Sequence, residues 1–250
     1  MKALVDNILE SFSPITLEQM SDVKLMNRTD TKFVTNLARL QLLLEMAEKD
    51  YFVQDIDGQR NMEYDTTYFD TQTFDMYCQH QWGHTNRQKI RFRTYVNSNL
   101  QFLEIKTKNN HGRTKKKRMG VEDMLLADEE KRTFIGKHLR YGVDTLQPAL
   151  HNNFRRITLV NRGKTERLTI DSALHFDNLV SGQKKDMGDL VVIELKRDGL
   201  VFSPVLEMLR QLRIMPHGFS KYCMGSALTN KGLAVNRFKE KLHYVEKIIK

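Results

Sequence analysis

The sequence predicts an α+β protein: a closed antiparallel eight-stranded β-tunnel (a barrel) with helices packed outside. Three observations carry this reading. Eight segments alternate charged and apolar residues with period two. Short polar turns join neighbouring segments, which suits antiparallel pairing rather than crossover connections. The alternation also puts cations on one face of strand after strand. An open sheet would hold those like charges side by side in repulsion, whereas a closed one gathers them around an enclosed anion.

From the N-terminus, Leu4, Val5, Ile8 and Leu9 share one face of a short helix, and Asp6 and Glu10 within that stretch exclude a signal peptide. Residues 28–35 read as the first strand, with Arg28, Asp30 and Lys32 opposite Phe33. A helix follows over 36–48, with Leu37, Leu40, Leu43, Leu44 and Ala47 on one side. Strands are predicted over 59–70, 87–96, 100–108, 113–121, 149–160, 165–175 and 190–197, and helices over 128–140 and 203–213. Ser203 and Pro204 supply an N-cap and a first-turn proline. Asn97-Ser98-Asn99 and Asn161-Arg162-Gly163-Lys164 each close a hairpin. The tail from about residue 220 is further helix, broken near Gly232. No Pro-rich or Gly/Ser-rich linker interrupts the chain, so a single domain over 1–250 is expected, with its core at about 28–225.

Lys and Arg number 40 against 31 Asp and Glu, and the net charge of +9 calls for an anionic partner: nucleic acid, an acidic membrane face or a phosphate-rich ligand. Runs such as Leu190–Ile193 are too short to span a bilayer, and a cytoplasmic protein is expected. Cys78 and Cys223 lie far apart and form no metal-spaced motif, which fits a reduced compartment. His80 and His84 stand four apart on a short helix with no third ligand nearby, and read as helix surface.

Placement of the charges narrows the partner. Arg87, Lys89, Arg91 and Arg93 share a face opposite Ile90 and Phe92. Glu104, Lys106 and Lys108 oppose Leu103 and Ile105; Arg167, Thr169 and Asp171 oppose Leu168 and Ile170; Glu194 and Lys196 oppose Ile193 and Leu195. A polyphosphate chain suits such faces, with Arg for forked contacts and Lys for point contacts. Nucleic acid is disfavoured, because Phe92 alternates away from the basic face and belongs in a core rather than on a stacking platform. Glu104 and Glu194 have two readings: oxygen ligands for Mg²⁺ or Mn²⁺, or salt-bridge partners of the lysines two residues on.

In their order, Thr31-Lys32-Phe33-Val34, Lys89-Ile90-Arg91-Phe92-Arg93, Glu104-Ile105-Lys106, Arg167-Leu168-Thr169-Ile170-Asp171, Ile193-Glu194-Leu195-Lys196 and Phe219-Ser220-Lys221-Tyr222 resemble the VTC domain. This is the catalytic domain of the vacuolar transporter chaperone polyphosphate polymerase, in the triphosphate tunnel metalloenzyme superfamily. The resemblance implies linear polyphosphate made from ATP by γ-phosphoryl transfer, with a divalent ion, Mn²⁺ or Mg²⁺, as cofactor. It implies Lys32, Arg91, Arg93, Lys106, Arg156, Arg167, Lys196 and Lys221 as catalytic groups contacting phosphates, with Lys117 chosen from the basic run Lys115–Arg118. By the resemblance Glu194 would hold the metal, and Glu104 stands beside it as a metal ligand only on the charge pattern above. ATP or another triphosphate and polyphosphate are the implied partners, and any export of product calls for a separate membrane protein. The Glu-x-Glu-x-Lys signature of the superfamily's triphosphatases is missing, since the first strand reads Arg28-Thr29-Asp30-Thr31-Lys32. A triphosphatase and a polyanion-binding module without turnover are the rival readings.

Overall fold

The computed structural model describes residues 2–20, 28–199 and 201–249; the side chain of Arg28, grouped above with Asp30 and Lys32, lies outside the described residues. In chain order come α1 (Lys2–Ser11), β1 (Ser13–Ile15), α2 (Leu17–Met20), β2 (Arg28–Asn36), α3 (Leu37–Ala47), β3 (Tyr51–Gln54) and β4 (Asn61–Thr71). Next are α4 (Asp75–Gln81), β5 (Arg87–Tyr95), β6 (Leu100–Lys108), β7 (Thr114–Val121) and α5 (Glu129–His138). The remainder forms β8 (Leu146–Asn161), β9 (Glu166–Asn178), β10 (Lys184–Asp186), β11 (Leu190–Asp198), α6 (Pro204–Gln211), α7 (Lys221–Thr229) and α8 (Lys239–Ile248). No helix among the described residues is long and apolar enough to cross a membrane.

The eight expected strands are β2, β4 to β9 and β11, and they pair in the order β2-β11-β9-β8-β4-β5-β6-β7, every step antiparallel. Both expected hairpins form, β5 with β6 and β8 with β9. The short β1, β3 and β10 add to the margins; at three or four residues each they carry too little alternation to be read from sequence. The path has two ends, β2 and β7, and no ladder between them is present among the described residues.

Curvature closes the space instead. Lys32 on β2 and Lys89 on β5 are five ladder steps apart, about 24 Å in a flat sheet at about 4.8 Å per step. Their ammonium groups nevertheless reach adjacent residues: Lys32 Nζ donates to the Phe219 carbonyl at 3.0 Å and Lys89 Nζ to the Ser220 hydroxyl at 2.7 Å. The sheet therefore wraps around and presents a concave face to itself.

Helices cover the convex face. Asn36 caps α3, its Oδ1 accepting from Arg39 N at 3.0 Å. Leu40, Leu43 and Leu44 of α3, with Val5 and Leu9 of α1 and Val205 and Leu209 of α6, pack on Phe33, Leu168, Ile170, Ile193 and Leu195. On the other flank, Ile135 of α5 packs with Ile90, Phe92, Leu103 and Ile105. Helix α7 differs from these, because it sits against the concave face. That end of the face is apolar, with Tyr68, Leu150, Phe176 and Val192 meeting Tyr222, Cys223 and Met224. Gly225 permits the approach: a Cβ there would stand 2.6 Å from Phe176 Cδ1 and 2.7 Å from Leu150 Cδ2.

Candidate functional site

The register assigns each charged side chain to a face. On β5 and β6, Arg91 stands opposite Glu104, Lys89 opposite Lys106 and Arg93 opposite Phe102, all on the concave side. Arg91 donates from Nε (2.8 Å) and Nη2 (2.6 Å) to Glu104 Oε2, and from Nη1 to the Tyr68 hydroxyl at 3.2 Å. Lys116 Nζ takes the other oxygen of Glu104 at 3.0 Å. Glu104 has no exposed surface; burial pushes its carboxyl up, and Arg91, Arg93 and Lys116 outweigh that and hold it far below the usual range. Arg93 lies over the rings of Tyr64 and Phe154, with a further bond to Thr66 Oγ1 at 3.3 Å. Burial brings it down to about 10. Lys106 makes no hydrogen bond or ion pair among the described residues, and the charges of Arg91 and then burial depress its ammonium well below the ordinary lysine value.

On β8 and β9, Arg156 stands opposite Asp171. Its Nε reaches Oδ1 at 2.6 Å and its Nη2 reaches Oδ2 at 2.7 Å. Lys221, in the first turn of α7, donates to the same carboxylate and lies 4.1 Å from the centre of the Phe154 ring. Burial would raise the Asp171 carboxyl, but Arg156 and Lys221 hold it below its ordinary range; burial pulls the Lys221 ammonium down. The N-terminus of α7, capped by Ser220, adds the positive end of the helix dipole beside these cations.

On β2 and β11, Lys32 stands opposite Glu194, and on β9 Thr169 pairs Glu194 while Arg167 pairs Lys196. Glu194 bonds to Lys196 and lies 3.6 Å from Lys32 Nζ, with 24% of its side chain exposed. Burial raises its carboxyl, and Lys32 and Lys196 outweigh that by a wide margin. Thr169 Oγ1 is buried beside it with no hydrogen-bond partner among the described residues.

These three groups face one another. The charge of Glu194 acts on Lys106 and Arg156, that of Arg156 on Arg93 and Lys196, and that of Lys32 on Lys221, so strands remote in the ladder share one electrostatic space. The structure thus brings together Lys32, Arg91, Arg93, Lys106, Arg156, Arg167, Lys196 and Lys221 with Glu104 and Glu194. Lys117 is the correction. It pairs Ile105, whose side chain is in the outer core, and its charge acts on His138 of α5. Its neighbours Lys116 and Arg118 pair Lys106 and Glu104 on the concave side, where Arg118 lies 4.7 Å from the Phe102 ring centre.

Sequence reading passed over three kinds of residue here. Lys89 was visible in the alternation and was not singled out. Asp171 shares the face of Arg167 and serves as the anchor of two cations. Tyr64 and Phe154 stack at 5.2 Å and back two guanidiniums, a role that tracking charges alone does not find. His80, read as helix surface, instead turns inward, its Nδ1 2.9 Å from Cys223 Sγ; both cysteines are free thiols.

The family model described as the VTC domain matches residues 27–230. No curated protein matches the chain. Among solved structures, a candidate adenylate cyclase of Bacillus halodurans is 15% identical with a TM-score of 0.48, covering 78% of this chain and 96% of its own. A candidate adenylyl cyclase of Hippeastrum, described as having a dominant triphosphatase activity, is 14% identical with a TM-score of 0.47, covering 82% and 97%.

Proposed function

The chain belongs to the VTC domain family, and on that premise we propose that it is a polyphosphate polymerase, extending a linear chain with the γ-phosphoryl group of ATP. The observation that carries this reading is the gathering of arginines and lysines from β2, β5, β6, β8, β9, β11 and α7 onto one concave face with far fewer carboxylates. Such a face suits a dense linear anion.

In the reaction, a terminal oxygen of the growing chain attacks the γ-phosphorus, a new P–O bond forms, and the bond from γ-phosphorus to the β–γ bridging oxygen breaks. ADP leaves with that electron pair. No side chain acts as nucleophile, so the protein's work is positioning and charge neutralisation. Arg91, Arg93 and Arg156 are rigidly held forks; Lys32, Lys106, Lys196 and Lys221 are point charges near developing negative charge. Glu104 keeps Arg91 in place, since both its oxygens are engaged by Arg91 and Lys116.

A divalent ion, Mg²⁺ or Mn²⁺, fits beside Glu194. This carboxylate is part exposed, and the unpartnered Thr169 hydroxyl next to it is a second hard oxygen donor. When bound there, the ion would supply further neutralising charge to the phosphate oxygens. Glu104 fits this role poorly: both carboxylates are held by two cations, but Glu104 is fully buried where Glu194 keeps an exposed edge.

The test is to incubate pure protein with ATP and Mn²⁺ or Mg²⁺ and to follow ADP and long-chain polyphosphate on a gel. Chains with stoichiometric ADP are expected. Orthophosphate release without chain growth would make the protein a triphosphatase, and tight polyphosphate binding without ATP consumption would make it a binding module.

A further inference from the structure

A cleft of about 240 Å³ opens where β5 starts and β6 ends, and four of its lining side chains are cationic: Arg87, Lys108, Arg237 and Lys241. No carboxylate lines it. Arg87 and Lys108 stand opposite each other in the β5–β6 ladder. Arg237 and Lys241 come from the segment around α8, beyond residue 230 where the family match ends.

None of the four is neutralised by its surroundings. Arg87 Nη1 donates to the His84 carbonyl at 2.6 Å and Arg237 Nη1 to the Trp82 carbonyl at 3.5 Å, both neutral acceptors. Lys108 and Lys241 make no ion pair among the described residues. The guanidinium of Arg237 is also fixed in place. Gly83, at φ +83°, lets it lie against the backbone where a Cβ would stand 2.3 Å from Cζ. His80 in the same wall is pushed down to about 2 by burial and by the charges of Lys89, Arg87, Lys241 and Lys108, so it lines the cleft as a neutral ring. Like charges gathered without a counter-ion cost free energy, which an anion relieves.

The cleft lies on the same side of the β5–β6 ladder as the central face. Arg93, Arg91, Lys89 and Arg87 follow one another on the same side of β5 at about 6.8 Å intervals, and Lys106 and Lys108 run beside them on β6. This stripe passes Ser220, where Lys89 is bonded at the start of α7. We propose that the cleft is a second phosphate-group site, distinct from the central face, filled by phosphates of a condensed-phosphate chain or by a free phosphate. The chain-end form rests on the reading that the central face grips polyphosphate.

The test uses the full chain as wild type, as the Arg237→Ala/Lys241→Ala double variant and as Lys241→Glu alone. Titration calorimetry is run with triphosphate, with long-chain polyphosphate, and with orthophosphate both alone and at saturating triphosphate. Each lost charge-assisted contact is worth about tenfold, so long-chain affinity should fall by about tenfold or more in the double variant. Triphosphate affinity should stay within about twofold. Lys241→Glu keeps α8 and its Arg237 contact intact and should act in the same direction. Loss of orthophosphate binding with long-chain affinity unaltered assigns the site to free phosphate. Wild-type binding of both ligands in Lys241→Glu and in the double variant overturns the proposal. A wild type that binds no triphosphate but loses orthophosphate in the variants would sink the central-face reading alone.

Discussion

Arg156 on β8 and Asp171 on β9 stand directly opposite in the ladder and close a two-pronged ion pair, while the same carboxylate also holds Lys221 from α7. One buried anion thereby fixes two cations that come from different elements. It also ties α7 to the sheet, so the shape of the concave face depends on it.

Replacing Asp171 with Asn should leave Arg156 and Lys221 buried without a counter-charge, at a cost of about 3–5 kcal/mol. Denaturant unfolding measures this, and added triphosphate should restore part of the loss. The pH dependence has a definite sign. Because the folded carboxyl lies below its ordinary value, its contribution is present above the ordinary aspartate range and is lost as pH falls through the folded value. The variant should therefore show a flatter acid limb than the wild type. An unchanged limb and midpoint would contradict this anchoring role.

Triphosphate binding should take up protons in mildly alkaline solution. Lys221, Lys89 and Lys106 are all held below the ordinary lysine value in the free protein, the first two chiefly by burial and the third chiefly by Arg91. A bound anion favours their charged forms and raises them again. ATP is the triphosphate to use, because its last ionisation lies well below about pH 8.5, so its phosphates are almost fully ionised there and contribute little. Calorimetry in two buffers of different ionisation heat should give net uptake, with affinity falling as pH rises further. Net release would reverse the sign of the argument.

Lys116 and Lys117 separate the two faces of β7. Lys116→Ala should weaken triphosphate binding by about tenfold, because it removes a charge from the concave side and leaves Glu104 with one partner fewer. Lys117→Ala should change affinity by less than about twofold, since its charge lies on the side of α5. Equal effects would mean that field strength alone, and not facing, governs binding.

The same pair shows where sequence reading stops. On β5, basic residues alternate with Gln88, Ile90 and Phe92 from Arg87 to Arg93, so facing follows from the pleat. Within β7, Lys115, Lys116, Lys117 and Arg118 are all basic, so alternation cannot tell their facing apart and only the register with β6 decides. Position along the chain hid α7 for a related reason. Its apolar residues announced a helix, but the seat it fills is built from Leu150, Phe176 and Val192, which three separate strands bring together. Helices α3 and α5 lie within a residue or two of expectation, and the structure shows each starting at a side-chain cap, Asn36 and Asp128. Helix α6 follows Ser203 and Pro204 as expected, although the Ser203 side chain makes no cap bond. The Arg237–Gly83 contact joins residues too far apart in sequence for any spacing rule to foresee.

Glu194→Gln is the substitution that divides metal use from anion binding. The carboxylate now spends its charge on Lys32 and Lys196, and repels phosphate. Without added metal, the variant should bind triphosphate more tightly than wild type, because two lysines are released and one negative charge is gone. With Mn²⁺ or Mg²⁺ the order should invert: the wild type gains affinity and turnover, while the variant gains neither and loses about 100-fold in metal-dependent rate. The readouts are calorimetry with and without chelator, and ADP release under the same conditions. Glu104→Gln serves as the contrast. It should destabilise the fold, as Arg91 and Lys116 lose their shared partner, without abolishing the response to metal. A Glu194→Gln protein that still answers to metal would place the ion elsewhere on the face and leave Glu194 as an ion-pair residue alone.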